Sequence, residues 1–382
     1  MSDIILAVDL GRFKSVACIY SRTDRTAQFR TVDSKPDAFA KLLAEHAGAV
    51  VVIEACANAG WVHDQAVAAG HVVKVANTAA ESWKFQHLKR KTDHDDARRF
   101  AELEAIGQLP TVTLPAPAVR QRRMLIAVRQ ELVGRRVACQ NRIRALFAGQ
   151  GMPTPRGASA WSTSGLAGIE SQSKPLADCA ADEVWRGLLA LAVVEYRFFL
   201  ARIAETESCL DAIAATDPAT ELLQSIPGVG PRTAEAVSAH LGDAKRFANA
   251  KQVGAYAGLV PKQYQSGVTD RKGRITRRGP AILRKLLVEC AWVMLRYNRW
   301  AREVYARLTA GGTTRKKPAI VALARKLLVR CWAMLRDGER WKSDPVPDVA
   351  GRRRRDRRRP NETGAAEPRR DETPQTAEAL EG

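Results

Sequence analysis

The chain has 382 residues, 61 Lys and Arg against 41 Asp and Glu, a formal net charge of +20, and 46% hydrophobic residues. That length and apolar content exclude disorder throughout and supply two or three domains. No apolar run approaches the roughly 18 residues of a membrane helix, and Met1-Ser2-Asp3-Ile4 lacks the basic region and cleavage site of a signal peptide. The expectation is a soluble, cytoplasmic protein. Its seven cysteines are odd in number, widely spaced and never in a C-x-x-C pair, which fits neither a disulfide framework nor a zinc site.

Strand and helix signals alternate over the first 110 residues. Apolar or β-rich runs at 4–9, 15–20 and 27–32 are followed by a helical pattern with Phe39, Leu42 and Leu43 on one face. The continuous apolar run at 49–53 is of the kind buried in a parallel sheet. A helix at 62–69, a strand at 71–75 and a helix at 94–109 complete the order βββαβαβα. This predicts an antiparallel three-strand meander extended by parallel strands, an α/β layer fold. From 117 to 150 runs an Arg-rich helix with Val119, Leu125, Leu132, Ile143 and Leu146 among its apolar positions. Residues 151–175, rich in Gly, Pro and Ser, read as an irregular connection or small subdomain. A second long helix carries Leu189, Val193, Tyr196, Leu200, Ile203 and Leu210 at heptad spacing, interrupted by Glu207; together the two helices predict an antiparallel coiled-coil arm. Residues 221–343 read as mostly helical. A turn at 225–233 and a polar stretch at 260–279 interrupt them, and one amphipathic helix spans 280–308 with Ile282, Leu286, Val293, Tyr297, Val304 and Leu308 inward. A partner helix from Pro318 has Ile320, Leu327, Cys331 and Met334 inward, and the tail after Trp341 has too little hydrophobicity to fold. The domain boundaries expected are 1–112, 113–217 with an irregular connection at 151–180, 218–343, and a disordered tail at 344–382.

The positive charge is concentrated. Residues 1–115 hold 14 basic and 14 acidic side chains, 116–220 hold 13 and 10, 221–343 hold 25 and 8, and the tail 9 and 9 despite its run from Arg352 to Arg359. A basic block that also carries periodic apolar residues is a folded cationic surface, and phosphate backbones are its usual partner.

Four carboxylates in the neutral first segment form a suggestive set. Asp9 and Glu54 each end an apolar strand, and if those strands are parallel neighbours their ends lie about 4.8 Å apart, at the edge where open α/β sheets place their sites. Asp93 and Asp96 stand i, i+3 at a helix start, with Asp95 beside them as a solvated helix-start acid. Converging carboxylates repel unless divalent cations neutralise them. Oxygen-only ligands suit Mg²⁺ or Mn²⁺, and two such metals about 4 Å apart can activate a nucleophile and stabilise a leaving oxygen in phosphoryl transfer.

These residues carry a resemblance. Val8-Asp9, Ile53-Glu54-Ala55 and Lys91-Thr92-Asp93-His94-Asp95-Asp96-Ala97-Arg98, each in its place, resemble the DEDD-type insertion-sequence transposases, the insertion sequence one-hundred-and-ten family. Downstream, Ser225-Ile226-Pro227-Gly228-Val229-Gly230, the stretch from Phe247 to Pro261, Tyr264-Gln265-Ser266-Gly267 and the run from Gly273 to Gly279 resemble its C-terminal transposase domain, so that the likeness covers about residues 3–340. It implies a RuvC-like, ribonuclease-H-fold N-terminal domain, a helical remainder, and DNA strand cleavage and exchange by an insertion-element transposase. It further implies that Asp9, Glu54, Asp93 and Asp96 bind Mg²⁺ or Mn²⁺. Ser266 corresponds to a nucleophilic serine that completes a composite site with a carboxylate cluster of its own or another subunit and forms a phosphoserine link. DNA, an element-encoded guide RNA and a homo-oligomer (dimer or tetramer) are the partners implied, in a bacterial, nucleoid-associated setting. The sequence departs from the family pattern at Glu54-Ala55-Cys56-Ala57-Asn58, where relatives often have Glu-Ala-Thr-Gly.

Physical reasoning adds candidates for phosphate contact. Lys262, Arg271, Lys272, Arg274, Arg277 and Arg278 flank Ser266, and the turn with Gly228 and Gly230 can expose backbone N–H groups at a helix N-terminus. Thr269 and Thr276 are nearby hydroxyls with no motif behind them. Two other readings stay open: a RuvC-like junction resolvase or nuclease using two-metal water attack, and a non-catalytic nucleic-acid-binding protein.

Overall fold

The structure, a computed structural model, describes residues 3–78, 80, 92–266, 269–310, 312 and 315–342. The arginine-rich tail expected to be disordered, and Lys91 of the acidic motif, lie outside the described residues.

Strands β1 (Ile4–Asp9), β2 (Lys14–Ser21) and β3 (Ala27–Asp33) form the antiparallel meander. Helix α1 (Pro36–Glu45) then leads to β4 (Val50–Glu54), α2 (Ala59–Ala68) to β5 (Val72–Ala76), and α3 (Asp93–Ala105) to β6 (Thr111–Val112). The sheet order is β3-β2-β1-β4-β5-β6, with β1, β4 and β5 mutually parallel and the two-residue β6 an antiparallel edge. Strand alternation decides the layers. Leu6 and Val8 of β1 point into a core with Phe39, Leu42 and Leu43 of α1 and Val62 and Ala66 of α2. Ile5 and Ala7 point to the other face, against Ala97, Phe100 and Ala101 of α3. With both faces covered, β1 and β4 have to be continuously apolar, and each fully buried Leu, Ile or Phe contributes roughly 1.5–3 kcal/mol.

Helix α4 (Pro117–Gly149) packs on α6 (Val184–Ala215). The pair is antiparallel: Arg122 bonds Asp217 just beyond α6, Arg129 reaches Glu207, and Arg142 reaches Glu195. All the α6 seam positions expected are buried except Leu200, which is half-buried. The interrupting Glu207 is explained by Arg129, whose Nε donates to it at 2.8 Å. On α4 the buried set is Arg122, Ile126, Cys139, Ile143 and Phe147, so Arg122, with the half-buried Arg129 one heptad on, occupies a position an apolar pattern would have claimed. The connection is more ordered than its composition predicts. Helix α5 (Thr163–Glu170), N-capped by Ser162, lays Leu166 and Ile169 on the helical pair.

The remaining helices, α7 (Pro218–Gln224), α8 (Pro231–Leu241), α9 (Ala250–Tyr256), α10 (Ala281–Tyr297), α11 (Arg299–Thr309) and α12 (Lys316–Asp337), share one core. The single helix expected over 280–308 is two. Asn298, extended at φ −121° and ψ 117°, accepts from the Ala301 N–H at 3.1 Å to cap α11, and its amide donates to the Pro227 carbonyl at 3.2 Å. The inward face of α10 differs in part: Leu286 is buried as expected, together with Leu283, Leu287, Cys290 and Met294, while Val293 and Tyr297 are exposed. Cysteine and methionine fill the core positions where the apolar pattern favoured Val and Tyr. The inward set of α12 is as expected.

The helical pair is rooted in this cluster. Asp217 accepts from Arg122 Nη1 (2.5 Å), Thr220 Oγ1 (2.6 Å) and Ser238 Oγ (2.8 Å), and caps α7 through the Ala219 N–H. Burial alone would raise its carboxyl pKa, but those hydrogen bonds outweigh burial and hold it below the usual range. Arg123 donates to the Ala239 and His240 carbonyls, and Arg246 to those of Leu241 and His240, so two guanidiniums satisfy the C-terminus of α8.

Candidate active site and nucleic-acid interface

The acidic set is built by the sheet. Parallel pairing brings Val8 opposite Ile53, so Asp9 and Glu54, one residue further on, end adjacent strands at the same edge. Both are half-buried. The turn after Asp9 is pinned by the Gly11 carbonyl, which accepts from Ser34 Oγ (2.8 Å) and Asn58 Nδ2 (3.0 Å). Asn58, part of the departure from the family pattern, therefore ties the β4 loop to the β1 loop. Ser34 was not picked out by sequence reasoning, and Asn58 only as part of that departure, since a lone polar residue carries no periodic signal.

Helix α3 delivers the other two acids. Its C-terminal Glu104 pairs with Arg22, just past β2 and bonded to the Asp3 carbonyl, and with Lys74 of β5. The helix therefore runs antiparallel to β1, with its N-terminus toward the edge where β1 and β4 end. A capping box fixes that start: Thr92 Oγ1 accepts from the Asp95 N–H and the Asp95 carboxylate from the Thr92 N–H. Asp95 is thus an exposed helix-start acid, as expected, and also closes the cap. Asp93 and Asp96 stand on the stripe that continues to Ala97 and Phe100, the sheet-facing side of the helix. Oxygen-only donors at one sheet edge suit a hard divalent cation in kind. Among the described residues, however, no group of three or more His, Cys, Asp or Glu side chains is close enough to hold a metal, and none of Asp9, Glu54 and Asp96 is without a partner.

Ser266 lies elsewhere. The polar stretch that interrupts the helices is a hairpin of β7 (Pro261–Ser266) and β8 (Thr269–Ile275), with Ser266 opposite Thr269 as its last described pair. The hairpin base is a close backbone crossing. A Cβ on Gly258 or Gly279, both at positive φ, would strike the Arg278 or Tyr256 backbone, and Arg284 Nη1 donates to the Ala257, Arg278 and Gly279 carbonyls. Register sorts the candidate cations. Lys262, Tyr264 and Ser266 share one face with Arg271, the partner of Tyr264, whereas Lys272, the partner of Gln263, belongs to the other; Arg274 lies in the register shift between Pro261 and Gln263. The Tyr264 ring lies over Gly273. Arg277 and Arg278 follow the hairpin and are exposed. No hydrogen bond among the described residues ties Ser266 to any of the four carboxylates.

In the turn before α8, Gly228 has φ +94° and packs on α10, where a Cβ would come 3.0 Å from Met294 Cα. Its carbonyl accepts from Cys290 Sγ at 3.4 Å. That packing alone requires glycine. Gly230, the N-cap residue of α8, is exposed with open space around it.

The sheet order and its acidic strand ends, followed by a helical C-terminal block, are consistent with a ribonuclease-H-like, DEDD-type transposase. Comparison with known proteins specifies it. A DEDD transposase family model described as "Transposase" matches residues 6–150, and the model of the "Transposase IS116/IS110/IS902 family" matches residues 220–306. The chain is 29% identical over 297 residues to the transposase for insertion sequence element IS1328 of Yersinia enterocolitica, covering 76% of this chain and 84% of that protein. It is 28% identical over 356 residues to the transposase for insertion sequence element IS1111A of Coxiella burnetii, covering 88% and 90%. A shorter likeness, 36% over 118 residues, joins it to the pilin gene-inverting protein of Moraxella bovis, covering 30% and 36%. Both halves of the chain are thus similar, in order, to the IS110-type DEDD transposases. No helix of the described residues is long and apolar enough to cross a membrane.

Proposed function

We propose that this protein is an insertion-element transposase that cuts and exchanges DNA strands through Ser266, with Asp9, Glu54, Asp93 and Asp96 as the acidic half of the site. The observation that carries the reading is the junction of Asp9 and Glu54 at adjacent parallel strand ends with α3 running toward them. Those four side chains would hold Mg²⁺ or Mn²⁺, which supplies charge neutralisation for phosphoryl transfer. The protein's own part begins with the hairpin: Lys262 and Arg271, on the serine's face, bind the phosphate and orient it. The Ser266 oxygen then forms a bond to phosphorus, the bond from phosphorus to the 3′-oxygen breaks, and the hydroxyl proton passes through water to that leaving oxygen. A 5′-phosphoserine and a 3′-hydroxyl result, and reversal on a second DNA end rejoins the strand.

Exchange between two DNA partners needs more than one serine, so the functional unit is a homo-oligomer, a dimer or tetramer. The exposed apolar side chains of α6 (Val184, Leu188, Leu191, Val194 and Phe198) support association through the helical arm, a coiled coil in this reading. The carboxylates of residues 1–112 then meet the hairpin of residues 218–343 from the same or another copy. The cationic block binds DNA together with an element-encoded guide RNA, in the bacterial cytoplasm at the nucleoid. The test uses element-end DNA and Mg²⁺: Asp9→Asn and Glu54→Gln abolish strand cleavage while nucleic-acid binding changes little. Full cleavage in the presence of a chelator would reject the metal role.

A further inference from the structure

Helices α11 and α12, with the start of α9, enclose a groove of about 670 Å³ on the C-terminal cluster, away from the carboxylates and from the hairpin tip. Its floor is apolar. Its walls carry Arg307, Arg325, Lys326 and Arg330 against one acid, Glu303. Glu303 is already taken by Arg299, whose Nε donates to it at 2.8 Å. Arg307 and Lys326 are exposed, Arg325 is half-buried, and none of the three has a hydrogen bond or ion pair with another described residue. Like charges left unpaired along one groove repel, and a polyanion relieves that repulsion.

The aromatic content of the groove says which part of a polyanion fits. Trp300 meets Trp341 edge to face at 5.4 Å, and the Arg330 guanidinium lies 5.8 Å from each ring. With its indole engaged inside the protein, the groove offers cations but no free ring for the base stacking by which single strands are held. Its position ties it to the hairpin. A Cβ on Gly254 would come 3.0 Å from Arg325 Nε and 3.3 Å from Val260 Cγ1, so the Arg325 end abuts the residue just before β7. From Pro261 to Ser266 the strand rises roughly 17 Å, which is about five base-pair steps.

We propose that this groove grips the sugar-phosphate backbone of duplex DNA flanking the phosphodiester presented to Ser266. The inference rests on the DNA-recombination reading and adds a contact surface to it. Arg307 and Lys326 each neutralise one phosphate, while Arg325 lines the passage toward the hairpin.

The test measures binding of the full chain to a random-sequence DNA duplex by fluorescence anisotropy across a salt series. Arg307→Ala/Lys326→Ala lowers the slope of log affinity against log salt by about 1.8, close to 0.9 per lost phosphate contact. At about 0.1 M salt it weakens binding by roughly tenfold or more. The charge-keeping pair Arg307→Lys/Lys326→Arg retains the wild-type slope. Binding by the wild type with an unchanged slope in the alanine pair overturns the groove proposal alone; failure of the wild type to bind DNA overturns the functional reading with it. A slope change with duplex RNA but not with DNA, or an equal loss in the charge-keeping pair, also overturns the proposal.

Discussion

The network around Asp217 roots the helical arm in the C-terminal cluster, and its removal has a calculable cost. Arg122 is 8% exposed and gives one nitrogen to Asp217 and another to Thr220. Asp217→Asn keeps the shape and the oxygen that caps Ala219, but it leaves a buried guanidinium facing a neutral amide. Losing one partner of a buried ion pair costs about 3–5 kcal/mol. Because Thr220 still accepts from Arg122 and the cap survives, the lower end applies, about 3 kcal/mol. Arg122→Leu should cost less, since Asp217 retains donors from Thr220, Ser238 and Ala219. In the double variant no charge is stranded, so a double-mutant cycle should return a coupling of about 2 kcal/mol. Urea unfolding of the full chain followed by circular dichroism reads all four species. A neutral Asp217→Asn, or single effects that simply add, would refute the claim that the arm is held by a buried charge pair.

Three further outcomes follow from the geometry. Burial, then the positive charges of Arg123 and Arg246, pushes the His240 pKa down to about 4 from 6.5. The unfolded chain therefore takes up the proton first, so this contribution is intact above pH 6.5 and is lost as pH falls toward 4, in total about 3 kcal/mol. Unfolding midpoints of His240→Gln should vary less over that window, and an equally steep dependence would contradict the assignment. Gly228→Ala forces a side chain into φ +94° against Met294 and should destabilise by at least about 1–2 kcal/mol; a thermal midpoint equal to wild type would show that the turn gives way. Hairpin register makes Arg271→Ala cost roughly 10²-fold or more in strand-cleavage rate, whereas Lys272→Ala, on the opposite face, chiefly weakens DNA binding. Equal rate losses would mean that the hairpin face does not sort these residues.

Why some of this was legible in the sequence and some was not has physical causes. Apolar runs that end abruptly in Asp9 and Glu54 are conspicuous because a strand covered on both faces carries no polar residue until it leaves the sheet. The meander and its parallel extension followed from those runs, while the two-residue β6 is too short to leave a pattern. The hairpin carrying Ser266 was hidden for the opposite reason: β7 is exposed along its whole length, so no buried face imposes a period of two. Asn298 breaks the helix over 280–308 through a cap and a bond to Pro227, neither visible in a residue type that helices tolerate. Arginines within the α4 interface escaped because their acidic partners lie 78 and 95 residues away.

The central claim, a strand-exchange enzyme with Ser266 as nucleophile, is tested most directly by trapping its covalent intermediate. Wild type and Ser266→Ala are incubated with end-labelled element DNA and Mg²⁺, denatured, and resolved for protein-linked label. The account predicts a 5′-phosphoserine adduct in the wild type that is absent in Ser266→Ala. An adduct that persists in Ser266→Ala, or metal-dependent cleavage by the wild type with no adduct at all, would contradict it.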